Sequence, residues 1–206
     1  PQPDPSGAEP SSDKKNDARE TRSSTGKLSI TLWDHPSDDL FGKFSTNERI
    51  VKPMEEYLGD EVYHYHSKII WKKPGDGGFD WHQDYGYWYH NACLYPDMGS
   101  CFIMLDRATK ENGCLKVLKG SHKVGRIEHG VSDTPEQTAD MERITELEKR
   151  HESVYITAEP GDVLFFHCYT LQMLINLKIL EELLLYALTP NPTILTKNLD
   201  TQVILV

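Results

Sequence analysis

Basic residues are scarce in this chain of 206: 22 Lys and Arg stand against 32 Asp and Glu, for a formal net charge of −10. No block of Lys or Arg is long enough to track a phosphate backbone. Nucleic acid and anionic membrane surfaces are therefore excluded as expected partners. Cysteine is scarce too, and the four present (Cys93, Cys101, Cys114, Cys168) include no CxxC pair. That is too few for a disulfide framework, so the cytoplasm or another reducing intracellular compartment is expected. The Leu-rich stretch between Leu171 and Leu188 is broken by Lys178, Glu181 and Glu182, so no membrane span is expected. The C-terminal Ile204-Leu205-Val206 is no retention or peroxisomal signal. With Pro1 in the first position a fragment is expected, with any N-terminal signal beyond view. No internal repeat is present.

What is there begins with a tail. Residues 1 to about 26 carry almost nothing apolar, and such a segment cannot offset its ordering entropy by burial. A disordered tail is expected there. Beyond it come short strand patterns separated by turns. Ser67 to Trp71 is β-branched and aromatic and stops at Pro74-Gly75-Asp76-Gly77-Gly78. Ser100 to Asp106, Cys114 to Leu118, Ser153 to Thr157 and Val163 to His167 read as further strands, the last introduced by Pro160-Gly161-Asp162. Residues 136 to 151 carry a helical pattern, with apolar positions at Met141, Ile144 and Leu147. Many short strands and one helix predict a mainly β fold, a sandwich, barrel or jelly roll, over a parallel α/β sheet.

Chemistry concentrates in Trp81-His82-Gln83-Asp84-Tyr85-Gly86-Tyr87-Trp88. In a strand running into a loop, residues two apart point the same way, so His82 and Asp84 can converge on one ion. An imidazole and a carboxylate so paired, joined by a distant second His, make the facial triad of Fe(II) oxygenases. The aromatic neighbours would exclude water from such a centre. Taken alone the spacing is weak, since a surface loop produces it as well. Of the other histidines, His64, His66 and His90 flank the motif and are expected to line its entrance. His122 is either a loop support or a pocket residue, and His35, His129 and His151 are expected to be solvated.

The full series of motifs is more specific. His82-Gln83-Asp84, Asn112-Gly113-Cys114-Leu115, Gly120-Ser121-His122-Lys123, Pro160-Gly161-Asp162 and Phe165-Phe166-His167 follow one another. That order resembles the phytanoyl-CoA dioxygenase family of Fe(II)/2-oxoglutarate oxygenases, over roughly Lys27 to Leu171. The resemblance implies a double-stranded β-helix, or jelly roll, with flanking helices. It also implies iron at His82 and Asp84, 2-oxoglutarate as chelating cosubstrate, dioxygen, and a small organic or lipid-like substrate hydroxylated at a C–H bond. A monomer is expected. Lys68 and Phe102 stand where the resemblance would put residues lining the cosubstrate pocket; an exposed strand Lys and a core Phe are the alternative.

From Gln172 the sequence departs from that pattern. The family's second ligand His falls at Gln172, and the Arg that pairs with 2-oxoglutarate falls near Leu180-Glu181-Glu182-Leu183. His167 is the substitute third ligand, although an odd offset along a strand turns a side chain to the other face unless a bulge intervenes. Residues 172–206 read as a divergent Leu-rich tail, produced by a one-base change of frame at codon 172. On that reading the last strand of the jelly roll is lost and a sheet edge lies open. Two alternatives stay open: a non-catalytic jelly-roll module with a decayed metal site, and a cupin-like zinc or manganese protein without 2-oxoglutarate.

Overall fold

The computed structural model describes residues 17–23, 26–33, 40–72, 75–130, 138–174, 181–190 and 203–205. Two sheets carry it. The larger joins β1 (Asp17–Ser23), β2 (Gly26–Trp33), β3 (Val62–Lys72), β5 (Gly99–Met104), β8 (Val163–His167), β10 (Glu181–Pro190) and β11 (Val203–Leu205), in the order β1-β2-β3-β10-β5-β8-β11. The smaller joins β4 (Phe79–His82), β6 (Leu115–Leu118), β7 (Ser153–Tyr155) and β9 (Gln172–Leu174), in the order β4-β9-β6-β7. All pairings are antiparallel except β11 on β8.

Period-2 alternation assigns each strand residue a side. In the large sheet Ile70, Phe102, Met104, Leu164 and Phe166 face inward. There they meet Phe79, Leu115, Val117 and Leu174 of the small sheet, forming the core between the layers. Their neighbours Ile69, Cys101, Ile103 and Phe165 face the other way, onto Ile50, Val51 and Met54 of helix α2 (Glu48–Leu58). This helix starts at Asn47, whose side chain accepts the Arg49 N–H, and ends at Gly59 with φ 78°, a left-handed conformation that suits glycine. A short α1 (Leu40–Ser45) precedes it. Behind the small sheet, Ile144 of α4 (Met141–Glu148) packs with Trp81, Leu118, Ile127 and Leu171.

Several expectations need correction. The tail predicted through residue 26 gives way at Asp17, where β1 pairs residue by residue with β2. Backbone hydrogen bonds, which apolar composition does not report, hold that hairpin. The expectation for residues 1–16 lies outside the described residues. Among the described residues of the helix predicted over 136–151, α4 covers Met141–Glu148, capped by Asp140 accepting from the Arg143 N–H. The C-terminal strand is not lost. β10 pairs with β3 from Lys72 to Val62 and with β5 from Met104 to Gly99, filling the interior of the large sheet. A strand with neighbours on both edges needs its interior N–H groups, and Leu183-Leu184-Leu185-Tyr186-Ala187-Leu188 contains no Pro.

The β10–β3 ladder shifts register between Ala187 and Leu188, opposite His66 and His64, leaving Tyr65 as the extra residue. The bulge brings successive rings to one place: Tyr65 and His66 both meet Trp88 edge-on, at 5.8 and 5.9 Å between centroids.

Candidate functional site

β4 ends at His82, and helix α3 (Asp84–His90) begins at Asp84 with Gln83 as its N-cap. The segment is thus strand into helix, not the strand into loop expected. Side chains of 82 and 84 still converge: His82 Nε2 lies 3.7 Å from Asp84 Oδ1. Two metal bonds of about 2.1 Å can span that gap. His82 Nδ1 sits 2.7 Å from the Asp80 carbonyl, which assigns its proton to Nδ1 and leaves the Nε2 lone pair facing Asp84. A carbonyl fixing the far ring nitrogen is how ligating histidines are held. Both residues are buried, each 8% exposed.

Position 172 stands beside this pair. Gln172 in β9 is the register partner of His82, and its Nε2 donates to Asp84 Oδ1 at 2.8 Å. On the other carboxylate oxygen, Oδ2, Ser100 Oγ donates from β5. Each Asp84 oxygen therefore accepts one hydrogen bond, and the oxygen facing His82 is the one approached by the amide N–H. His82 and Asp84 suit a transition metal in donor type and tautomer. Gln172, as it lies, does not: its N–H occupies the oxygen a cation would take.

His167 does not complete the set. Among the described residues no three His, Cys, Asp or Glu side chains gather where a metal could be held. His167 ends β8 opposite Gly99 in the large sheet, and the chain crosses to the small sheet between it and Gln172. The two positions are on different layers. The His167 ring meets His122 at 6.2 Å and accepts the Tyr169 N–H on Nδ1. Burial lowers the pKa of both imidazoles.

Of the two cosubstrate candidates, Lys68 is near the centre. Its Nζ lies 5.2 Å over the Phe79 ring, which stands edge-on to His82 at 6.0 Å. Burial, aided by the Lys68 charge, holds His66 well below the usual imidazole range. Phe102 is a core side chain, 3% exposed between the sheets. His64, half-buried, shares a hydrogen bond with Ser67 Oγ, and His90 is exposed at the end of α3. His151 reaches the Lys119 carbonyl, while His35 lies outside the described residues.

His129, expected to be solvated, is 3% exposed. It accepts the Gln83 N–H on Nε2 at 2.9 Å and holds the Ile127 carbonyl with Nδ1 at 2.8 Å. A Cβ on Gly86 would lie 2.5 Å from its ring, so glycine there makes room for it. Polar neighbours in the sequence hid this, because the ring is buried by residues far along the chain. Burial pushes His129 down to about 4, partly opposed by its bond to Ile127. Unfolded, it takes up a proton near pH 6.5. Its contribution is complete above about pH 6.5 and is lost as pH falls toward 4, at up to about 1.4 kcal/mol per pH unit. Urea midpoints measured at pH 7 and pH 5 should fall less in His129→Gln than in the unaltered chain.

Sequence reading also missed Ser100 and Ser121. Ser100 carries no motif. Ser121, within the Gly-Ser-His-Lys run, accepts the Leu171 N–H at 2.9 Å and so steadies the approach to Gln172.

A family model described as phytanoyl-CoA dioxygenase matches residues 2–172. The chain belongs to the phytanoyl-CoA dioxygenase family. The match begins well before Lys27 and ends at Gln172. An ectoine dioxygenase of Sphingopyxis alaskensis is 33% identical over 148 residues, 65% of this chain and 48% of that protein. L-proline trans-4-hydroxylase of Streptomyces griseoviridis is 32% identical over 108 residues, 52% and 40% of the two chains. The chain spans about half the length of the curated relatives it matches. Among solved structures, EctD from S. alaskensis with bound Fe superposes with a TM-score of 0.67 at 24% identity, covering 78% of this chain and 56% of that one. The epimerase SnoN, solved with Fe3+ and alpha-ketoglutarate, gives 0.67 at 16%, covering 84% and 68%. The fold is thus the double-stranded β-helix, as expected. Among the described residues no helix is long and apolar enough to cross a membrane.

Proposed function

We propose that the protein is an Fe(II)- and 2-oxoglutarate-dependent dioxygenase that hydroxylates a C–H bond of a small organic substrate. The observation that carries this is the convergence of His82 Nε2 and Asp84 Oδ1, with position 172 in register beside them. Relatives named for ectoine dioxygenation and proline hydroxylation support the class. Iron and 2-oxoglutarate, when bound, would supply the oxidant: one oxygen atom of O2 enters the substrate, and the other enters succinate as CO2 leaves. His82 and Asp84 would be two of the metal's ligands, and Lys68 the cation nearest for a cosubstrate carboxylate. Phe79, beneath Lys68 and against His82, would wall the pocket from water.

Gln172 limits this chain. It supplies an N–H where the reading needs a lone pair, and Glu181 and Glu182 stand in the strand where a dicarboxylate needs a cation. A one-base change of frame at codon 172 accounts for both departures. Sequencing the transcript tests that, and an intact in-frame glutamine codon followed by the Leu-rich run would refute it.

Anaerobic titration with Fe(II) and 2-oxoglutarate together tests the function. The chelate's weak visible charge-transfer band is expected to be absent from the chain as it stands. It should appear in one restored at position 172 and beyond. A restored chain that binds neither would sink the assignment.

A further inference from the structure

Gln83, between the two candidate ligands, makes more hydrogen bonds than its neighbours and touches no site atom through its side chain. It is 1% exposed, and its polar atoms are used on two separate segments. Its Nε2 donates to the Gly125 carbonyl at 2.8 Å and to the Tyr169 carbonyl at 2.7 Å. Its Oε1 accepts the Ile127 N–H at 2.8 Å, and its own N–H goes to His129. Both amide protons and the amide oxygen are thus satisfied, which also assigns the amide's orientation without ambiguity. Tyr169 lies in the crossover between β8 and β9, three residues before Gln172. The Ser121 bond to Leu171 and the Leu171 carbonyl bond to the Leu118 N–H secure the same crossover from its other side.

We propose that Gln83 is a positioning residue. It ties the crossover that delivers position 172, together with the 125–129 loop, to the turn carrying His82 and Asp84. β4 and β9 share only the pairings Phe79 with Leu174 and His82 with Gln172, so the spacing between the third position and the first two also depends on the crossover, which Gln83 holds together with the Tyr85 N–H on the Cys168 carbonyl. On its other edge β9 is held by β6 at all three residues, so Gln83 acts on the β4 side and on the crossover, where the pairing is sparse. The metal role assigned to position 172 rests on the function proposed above, whereas the fastening rests on hydrogen bonds alone.

Amide hydrogen exchange separates the two. In Gln83→Glu the side chain keeps an acceptor for Ile127 but loses both donors, to Gly125 and Tyr169. Exchange across 168–172 is expected to quicken about tenfold, the worth of a lost hydrogen bond, while β5 and β8 keep their protection. Gln83→Leu should release 125–129 as well. Protection across 168–172 left unchanged in both variants would overturn the proposal.

The second arm uses Co(II), read by its visible spectrum, on Gln172→His with and without Gln83→Glu. Weakening by about 10–100-fold upon adding Gln83→Glu is expected, as for removal of other supports of a metal site. Equal affinity in the two chains would overturn the positioning role. If Gln172→His takes no Co(II) while exchange at 168–172 still responds to Gln83→Glu, the fastening stands and the metal reading of this site fails.

Discussion

Replacing Gln172 by His is expected to raise the affinity for Fe(II) by about 100-fold or more, since outer supports alone are worth up to that factor. β9 places residue 172 opposite His82, and its side chain already reaches Asp84 Oδ1, so a new imidazole arrives at the right place without moving the backbone. Two things change together. A neutral donor nitrogen replaces an amide that was contributing only an N–H, and Asp84 Oδ1 is released to face the metal. Ser100 continues to hold Oδ2, so the carboxylate stays aimed. The metal-free chain loses one buried hydrogen bond, a cost of about 1 kcal/mol. Anaerobic titration under argon reads the affinity. Gln172→Ala is the control: it also frees Asp84 but adds no donor, and should gain far less than the His variant. Equal gains in the two would mean that the amide was a competitor and position 172 never a ligand. On the function proposed above, the change adds no cation for 2-oxoglutarate, so the cosubstrate should remain weakly held in Gln172→His alone.

The HxD pair was legible because its signal is local. A strand running into a polar turn converges residues two apart whatever the rest of the fold does, and His82 and Asp84 obey that even though Asp84 opens a helix. Position 172 was legible only through resemblance, since nothing in the Leu-rich stretch marks it. The supports were not legible at all. Ser100 is one serine among many until β5 is laid beside the helix start, and Gln83 looks like filler between two ligands until loop and crossover close over it. His129 shows the same limit from the other side: polar neighbours in sequence suggested solvent, and the turn from Gln83 to Gly86, far along the chain, closes on it.

Strand positions were legible where alternation and turn residues agreed, as from Val163 to His167 after Pro160-Gly161-Asp162. They failed where pairing, not composition, decides. β1 is polar and was read as tail, yet it forms a regular ladder with β2. β10 was read as a lost strand because its side chains match no motif, yet its backbone completes the large sheet from both sides. A ladder is built from amide and carbonyl groups that nearly every residue carries. Lost motif residues therefore remove chemistry before they remove fold.

Phe102 separates those two kinds of residue most sharply. Read as a wall of the cosubstrate pocket, its truncation to Ala would cost binding and little stability. The structure puts it between the sheets with Ile70, Phe79, Met104, Leu164 and Phe166, nearly inaccessible to solvent. Phe102→Ala should therefore destabilise the fold by about 3–5 kcal/mol, the transfer term of an aromatic ring plus the cavity it leaves. Urea unfolding followed by tryptophan fluorescence measures this, with the midpoint falling and the slope unchanged if the transition stays two-state. A loss below about 1 kcal/mol would show that the ring lines open space and return Phe102 to the pocket. Lys68→Ala is the counterpart in the same interior. Its cation lies over Phe79 instead of filling the core, so it should cost less than about 2 kcal/mol, the upper range for a desolvated cation over a ring. The two variants divide the space behind His82 into what holds the sheets together and what faces a ligand.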